Sequence, residues 1–473
     1  MRRLFPVSLT LPLLAAACAV GPDYHRPAVP GETGSWLSPA NSKAADLAPW
    51  SALGDPVLSD LITKAVAGNF DIAEAEARLR EVRAQRGVVR AKALPNAALN
   101  GSAQQTQTSV NGQFPAANIP FYDRNFSLFD AGFDASWEID LWGGQRRAVQ
   151  SADRQIDAAR ARAVDVRLQT VAEVVRAYAQ LRGAQALLAS TRADAQIAAE
   201  TAAIVRQRYQ AGEAARFDDS RAEEQARTAA AAIPEYEADQ RAAAFRLAVL
   251  TGRPPEAVTD LIDNAAALPN LPANVAIGVR ADMLRRRPDI RAAEADLAAA
   301  TANVAVETAN LYPKLSLTGS FSQQSRQPGD LVSGNSFGFS VGPRLNWAIF
   351  DAGRVRAQIR AADARADQAA ARYTKAVLTA LADSETAINR YAAATQAVAE
   401  RDAARLASQT SLDLARQRYR LGEDDLLALL QAQSAFTHAD RAAAQAHEAA
   451  LQAYATLVKA LGGGWQEMPA SGG

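Results

Sequence analysis

The sequence predicts a mainly α-helical chain with a small β part suited to a membrane, built as two copies of one unit. Three observations carry this. Landmarks recur in order at a near-constant offset, two very long stretches are free of proline, and four short segments alternate with period two. The heptapeptide Gln207 to Glu213 (QRYQAGE) returns as Gln417 to Glu423 (QRYRLGE), 210 residues later, and the same offset carries Gly252 onto Gly462. It also carries Leu168, Val171, Tyr178, Leu181 and Leu188 onto Leu378, Leu381, Ile388, Tyr391 and Val398. Asp71-Ile72 and Pro95 match Asp289-Ile290 and Pro313 at an offset of 218, so the first copy holds a longer loop between Pro95 and Gln207. The copies span 55–252 and 285–462, joined by a proline-bearing linker over 253–284 and followed by a tail over 463–473.

From the N-terminus, residues 1–17 have the charged start, apolar stretch and small residues of a secretory signal. Cys18, the only cysteine, follows Ala15-Ala16-Ala17; it is either incidental or the lipidated first residue of a mature chain whose N-terminal segment is 18–54. No later run is long and apolar enough for a spanning helix. Lys plus Arg equals Asp plus Glu at 51 each, which argues against a nucleic-acid coat.

The helices come next. Gln145 to Gln210 contains no proline and one glycine, Gly183, while Arg354 to Leu421 contains neither. Alanine, arginine, glutamate, glutamine and leucine favour helix, and apolar residues step three and four apart as in a coiled coil. Gly212 and Gly422 end these helices in tight turns. Pro234 breaks the returning helix of copy one, where copy two has Ala444.

Between the helices lie four strands, about 96–107, 126–139, 314–323 and 336–349, paired as two hairpins by Gly/Asn/Pro/Gln-rich loops. Phe337, Phe339, Val341, Pro343, Leu345, Trp347 and Ile349 alternate with small or polar residues; Phe129, Phe133, Trp137 and Ile139 do the same in copy one. A soluble half-buried sheet also alternates. The strand length, the small polar second face, and Trp137, Trp142, Trp347 and Tyr312 at strand ends favour a bilayer instead. Open edges cannot stand in lipid and four strands cannot close a barrel, so several chains must share one.

The leader with its lipobox, CAVGPDYHRPAVP, SWEIDLWGGQRR, LRRRPDIRAAEADLAAATANVAVETANLYPKLSLTGSF, FDAGRVRAQI, QRYRLGEDDLLALLQAQ and ALGGGW together resemble the outer-membrane efflux lipoproteins. These are TolC-like exit ducts, of OprM and NodT type, serving resistance-nodulation-division (RND) pumps. The resemblance covers essentially the whole chain. It implies a homotrimer with a 12-stranded β-barrel in the outer membrane of a Gram-negative cell, four strands per chain, above a long helical barrel in the periplasm. It also implies a periplasmic adaptor and an inner-membrane RND pump as partners, outer-membrane lipid around it, no enzymatic activity, no nucleic acid and no cofactor.

The family's gate lies at the turns bearing the repeated glycines. Matched residue by residue, this implies Tyr419, Leu421, Asp424 and Asp425 in the second turn and Asp218 near the first, with Leu421 as an apolar ring and Asp425 or Asp424 as an acidic one. Asp424 stands where some relatives carry an arginine. The plainer alternative is that Asp424 and Asp425 cap the helix beginning near Leu426. Pro288 and Asp289 suit a helix start, and Arg285 to Arg287 are expected in structural ion pairs. His438 and His447, nine apart, do not form a metal pair on one helix face, and His25 lies near the leader. An exit duct of a type I protein-secretion system and a non-membrane coiled-coil scaffold are the competing readings.

Overall fold

A computed structural model describes residues 19–28, 31–32, 34–37, 49–111, 123–272 and 275–464. The leader, Cys18 and most of the C-terminal tail lie outside the described residues. Helices α1 (Pro56–Gly68) and α2 (Phe70–Ala91) precede strands β1 (Asn96–Gln107) and β2 (Asn125–Ile139). Helix α3 (Gly144–Gln210) follows, returning as α4 (Arg216–Ala231) and α5 (Ile233–Leu250). Short helices α6 (Thr259–Asp263) and α7 (Arg280–Arg286) fill the linker. The second copy runs through α8 (Pro288–Ala309), β3 (Lys314–Ser325), β4 (Phe337–Asn346), α9 (Arg354–Leu421) and α10 (Leu426–Ala460).

At 1.5 Å per residue, the 67 residues of α3 and 68 of α9 each correspond to about 100 Å of helix. Their ends repeat down to individual hydrogen bonds. Gly212 N–H donates to Tyr209 O at 3.0 Å and Glu213 N–H to Arg208 O at 2.8 Å; Gly422 and Glu423 donate to Tyr419 O and Arg418 O at 3.1 and 2.9 Å. That pair of bonds is the Schellman motif, with the glycine left-handed at φ 79° and 78°. Gly252 and Gly462 repeat it at the ends of α5 and α10. Pro234 sits in the first turn of α5, and the matching stretch of α10 runs unbroken.

The repeats are not the packing units. One compact unit comprises Met1–Pro27, Leu79–Ala159 and Ala293–Tyr373; the other comprises Ala28–Arg78, Arg160–Ala292 and Thr374–Gly473. Each draws on both copies. The first holds the sheet, of order β1-β2-β3-β4, antiparallel throughout. Besides the two hairpins, β2 pairs with β3, joining the copies in one sheet. Strand β4 ends at Asn346, so Trp347 to Ile349 continue the alternation without pairing.

In the second unit the apolar stripe of α3 (Leu168, Val171, Tyr178, Leu181, Leu188) is buried throughout. Its counterpart on α9 is less so, for Leu378 is exposed. Gly183 has a local reason: a Cβ there would overlap the Glu448 carboxylate of α10. Burial pushes the Glu448 carboxyl above the ordinary carboxylate range, partly offset by a 2.7 Å hydrogen bond from Gln452. A raised folded-state value means that charging this group opposes folding; the penalty is present at neutral pH and fades as pH falls through the raised value. Glu448→Gln is expected to raise the melting temperature at pH 7, with the difference from wild type closing as the pH is lowered below the usual glutamate range. Thermal melts across pH check this, and a constant difference would show that charge is not the cause.

Candidate functional site

The sheet has two chemically distinct faces because all four strands share one register. Leu99, Phe133, Phe321 and Phe339 form one cross-strand row; Ala97, Ala135, Gly319 and Val341 form the next. Trp137, Leu317 and Pro343, then Ile139, Leu315 and Leu345, continue the same face. The Phe133 and Phe321 rings stack at 4.9 Å. The opposite face carries Asn96, Ser136, Thr318 and Gly342, then Ala98, Asp134, Ser320 and Ser340. A soluble sheet would cover its apolar face with a helix, yet Phe339 is 71 % and Leu345 67 % exposed. The outer sides of β1 and β4 have no strand partner among the described residues.

The three tryptophans sit where strands meet helices. Trp137 Nε1 donates to Ala93 O at 3.0 Å, just past the end of α2. Trp142 and Trp347 donate to Pro313 O and Leu311 O, just past α8, at 2.8 and 3.1 Å. Trp142 also stacks on Tyr312 with centroids 4.7 Å apart. Each indole N–H thus satisfies a carbonyl beyond a helix end, at the junction of strand and helix.

At the tip of the second unit, α3/α4 and α9/α10 meet through Val205, Ala222, Leu412, Tyr419, Leu426 and Leu429. Tyr419 is buried in this core, with the Arg208 guanidinium 4.8 Å over its ring. Leu421, two residues on, is 66 % exposed. Asp425 is the N-cap of α10, its carboxylate accepting from Ala428 N–H at 2.8 Å. Asp424 pairs with Arg418 at 3.0 Å. Asp218 lies in the first turn of α4, where a carboxylate complements the helix dipole; its neighbour Asp219 pairs with Arg206 at 3.4 Å. Leu421, Asp424 and Asp425 therefore cluster in one turn, and Tyr419 faces inward beneath them. The Arg418–Asp424 pair escaped sequence reasoning; a cation six residues before an acid across a glycine turn was its only signal.

The basic cluster divides. Arg287 binds Asp289 through Nη2 at 2.6 Å and donates from Nη1 to Ala460 O at 2.9 Å; Arg285 lies 3.9 Å from Asp282. Arg286 departs from the expected ion pairing and makes no salt bridge among the described residues, where its side chain lines a cavity with apolar walls.

Among the described residues no helix is long and apolar enough to cross a membrane. The family model for outer membrane efflux proteins matches residues 61–253 and 279–463, one stretch per copy. Nodulation protein T of Rhizobium leguminosarum bv. trifolii is 30 % identical over 462 residues, 97 % of each chain. Outer membrane protein OprJ of Pseudomonas aeruginosa is 32 % identical over 476 residues, covering 97 % of this chain and 96 % of the relative. The solved outer-membrane channel OprN superposes with a TM-score of 0.85 at 35 % identity, over 95 % of this chain and all of that one. The open state of the Neisseria gonorrhoeae MtrE channel gives 0.80 at 27 % identity, over 95 % and 99 %. With the repeat, the two-faced sheet and both matched stretches agreeing, this chain belongs to the outer membrane efflux protein family and is an outer-membrane channel protein of an efflux system.

Proposed function

We propose that the chain works as a homotrimeric exit duct for drugs and other small molecules, delivered by an inner-membrane RND pump through a periplasmic adaptor. The carrying observation is the four-stranded sheet, apolar and uncovered on one face, polar on the other and open at both edges. In lipid those edges need partners, and three copies would supply a closed barrel of 12 strands. Exposed Leu378, Leu406 and Leu414 along α9 give each copy an apolar stripe for its neighbour. The repeat supports this further. Arg208 covers Tyr419 within the chain, whereas the repeat-related residues, Arg418 and Tyr209, are both exposed, which suits their meeting between chains.

Lipidation at Cys18 fits the start of the described chain. Val20 N–H donates to Trp142 O at 3.1 Å, and Asp23 pairs with Arg147 at 2.7 Å. Ala19 and Val20 thus lie against the strand-to-helix junction at Trp142 and Gly143, which supports a bilayer position for an acyl chain on Cys18.

At the periplasmic end, Leu421 forms the apolar constriction and Asp425, with Asp424, the acidic one; Tyr419 and Asp218 position the turns. Clustered carboxylates in a narrow pore favour cations. Asp425 also caps α10, and two substitutions separate its roles. Asp425→Asn keeps a capping oxygen and is expected to leave stability unchanged while lowering cation preference; Asp425→Ala loses the cap as well, at about 1 kcal/mol. Reversal potentials in planar bilayers, with thermal melts alongside, check both.

The duct itself is tested on protein extracted from outer membranes, which is expected to require detergent, run as a heat-modifiable trimer and conduct ions in bilayers. A water-soluble monomer would defeat the reading.

A further inference from the structure

The middle arginine of the basic cluster has a setting its neighbours lack. Arg286, the last residue of α7, lines a cavity of about 120 Å³ within the second unit. Among the described residues the other walls are apolar: Pro272, Val275, Tyr454, Val458 and Leu461 line them. Nε and Nη2 of Arg286 are sealed from solvent and have no hydrogen-bond partner among the described residues. Burial pushes the guanidinium below its ordinary range, opposed only by the charge of Asp282. A guanidinium keeps its charge under such a penalty, so the site gains from any anion able to enter.

We propose that this cavity is a binding site for a small monocarboxylate with an apolar body, its carboxylate on the Arg286 guanidinium and its body among Val275, Tyr454, Val458 and Leu461. A charged guanidinium N–H, here Nη1, donates strongly to a carboxylate. One guanidinium balances a single charge, and apolar walls disfavour a heavily hydrated ion such as inorganic phosphate. The volume suits a single ring or a short acyl chain, since an engineered apolar cavity of about 150 Å³ takes up benzene. The walls come from the linker (Pro272, Val275), α7 and the C-terminal end of α10. Tyr391 and Tyr454 fix this frame by donating to Pro272 O and Pro49 O, each at 2.7 Å. A bound carboxylate would add a further tie between linker and helix.

The test uses the full-length detergent-solubilised protein with benzoate as probe, followed by saturation-transfer NMR and by melting temperature. Wild type is expected to bind benzoate in the millimolar range or tighter and to melt higher in its presence. Benzyl alcohol, with the same body and no charge, should bind about tenfold more weakly or worse, as should benzoate to Arg286→Gln. Inorganic phosphate should not compete. Val458→Phe fills the cavity while keeping the arginine and should abolish binding, which guards against an effect of misfolding in Arg286→Gln. Equal affinity for benzoate and benzyl alcohol, benzoate binding undiminished in Arg286→Gln or Val458→Phe, or no binding to wild type would each overturn the proposal.

Discussion

Phe321→Arg is expected to prevent assembly of the channel, whereas Ser320→Arg, one residue away, leaves it formed. Phe321 stands mid-strand on the apolar face, paired with Phe133 and Phe339, with its ring stacked on Phe133. Placed at the bilayer midplane, an arginine there costs about 2–4 kcal/mol per copy. Three copies sharing one barrel would multiply that penalty. Ser320 lies on the opposite face between Asp134 and Ser340, where a guanidinium meets water and a carboxylate. The check is the yield of heat-modifiable trimer in outer membranes and the urea midpoint in vesicles. Equal tolerance of both variants would mean that neither face lies against lipid.

Gly252→Ala is expected to be strongly destabilising, and Gly212→Ala only mildly so. Both glycines close a Schellman motif in the left-handed region, at φ 67° and 79°. Alanine pays roughly 1–2 kcal/mol for that conformation in either place. Their surroundings differ. Among the described residues nothing lies within 4 Å of a Cβ added at Gly212, while one at Gly252 would overlap the Gly68 carbonyl oxygen. Gly68 is tight as well, a Cβ there lying 2.8 Å from Thr251 O. The two backbones touch because Asn69 both caps α2 and donates from Nδ2 to Leu250 O at 3.0 Å. Relief requires α1 to move off α5, so Gly252→Ala is expected to cost about 3 kcal/mol or more in total. Chemical denaturation of the two variants side by side measures the difference; equal losses would place the whole effect in the backbone torsion.

The two Schellman positions also show where sequence reading stops. Gly212 and Gly252 are both repeated landmarks in the sequence, and Gly212 also reads as a helix end. That one is open and the other pressed against α1 depends on residues 184 positions earlier in the chain, beyond the reach of local pattern. Strand pairing divides in the same way. The alternation of Phe337 to Leu345 revealed two faces, and the loops revealed two hairpins. The β2–β3 pairing that merges both copies into one sheet is a contact between Phe129–Ile139 and Leu315–Ser325, across the whole of α3 to α8.

At the tip, the matching of Gln207 to Glu213 with Gln417 to Glu423 located both turns, and the capping reading of Asp425 agrees with its bond to Ala428 N–H. The repeat could not tell Tyr209 from Tyr419. Their motifs are nearly identical, yet one is exposed and the other buried beneath Arg208, because only the second copy's tyrosine faces the other hairpin. Likewise three consecutive arginines read alike in sequence, yet Arg285 is exposed, Arg287 bonds Asp289 and Ala460 O, and Arg286 lines a cavity.

By itself, then, the amino-acid order determined the periodic features: helix lengths, turn positions, the alternating strands and the duplication. These follow from backbone sterics and from the spacing of apolar side chains, both of which act over a few residues. Tertiary structure alone decided which of two equivalent positions is buried, which glycine is pressed against a neighbour and which arginine lines a cavity. Those outcomes depend on segments meeting from opposite ends of the chain, where burial and charge pairing are set by what arrives from elsewhere.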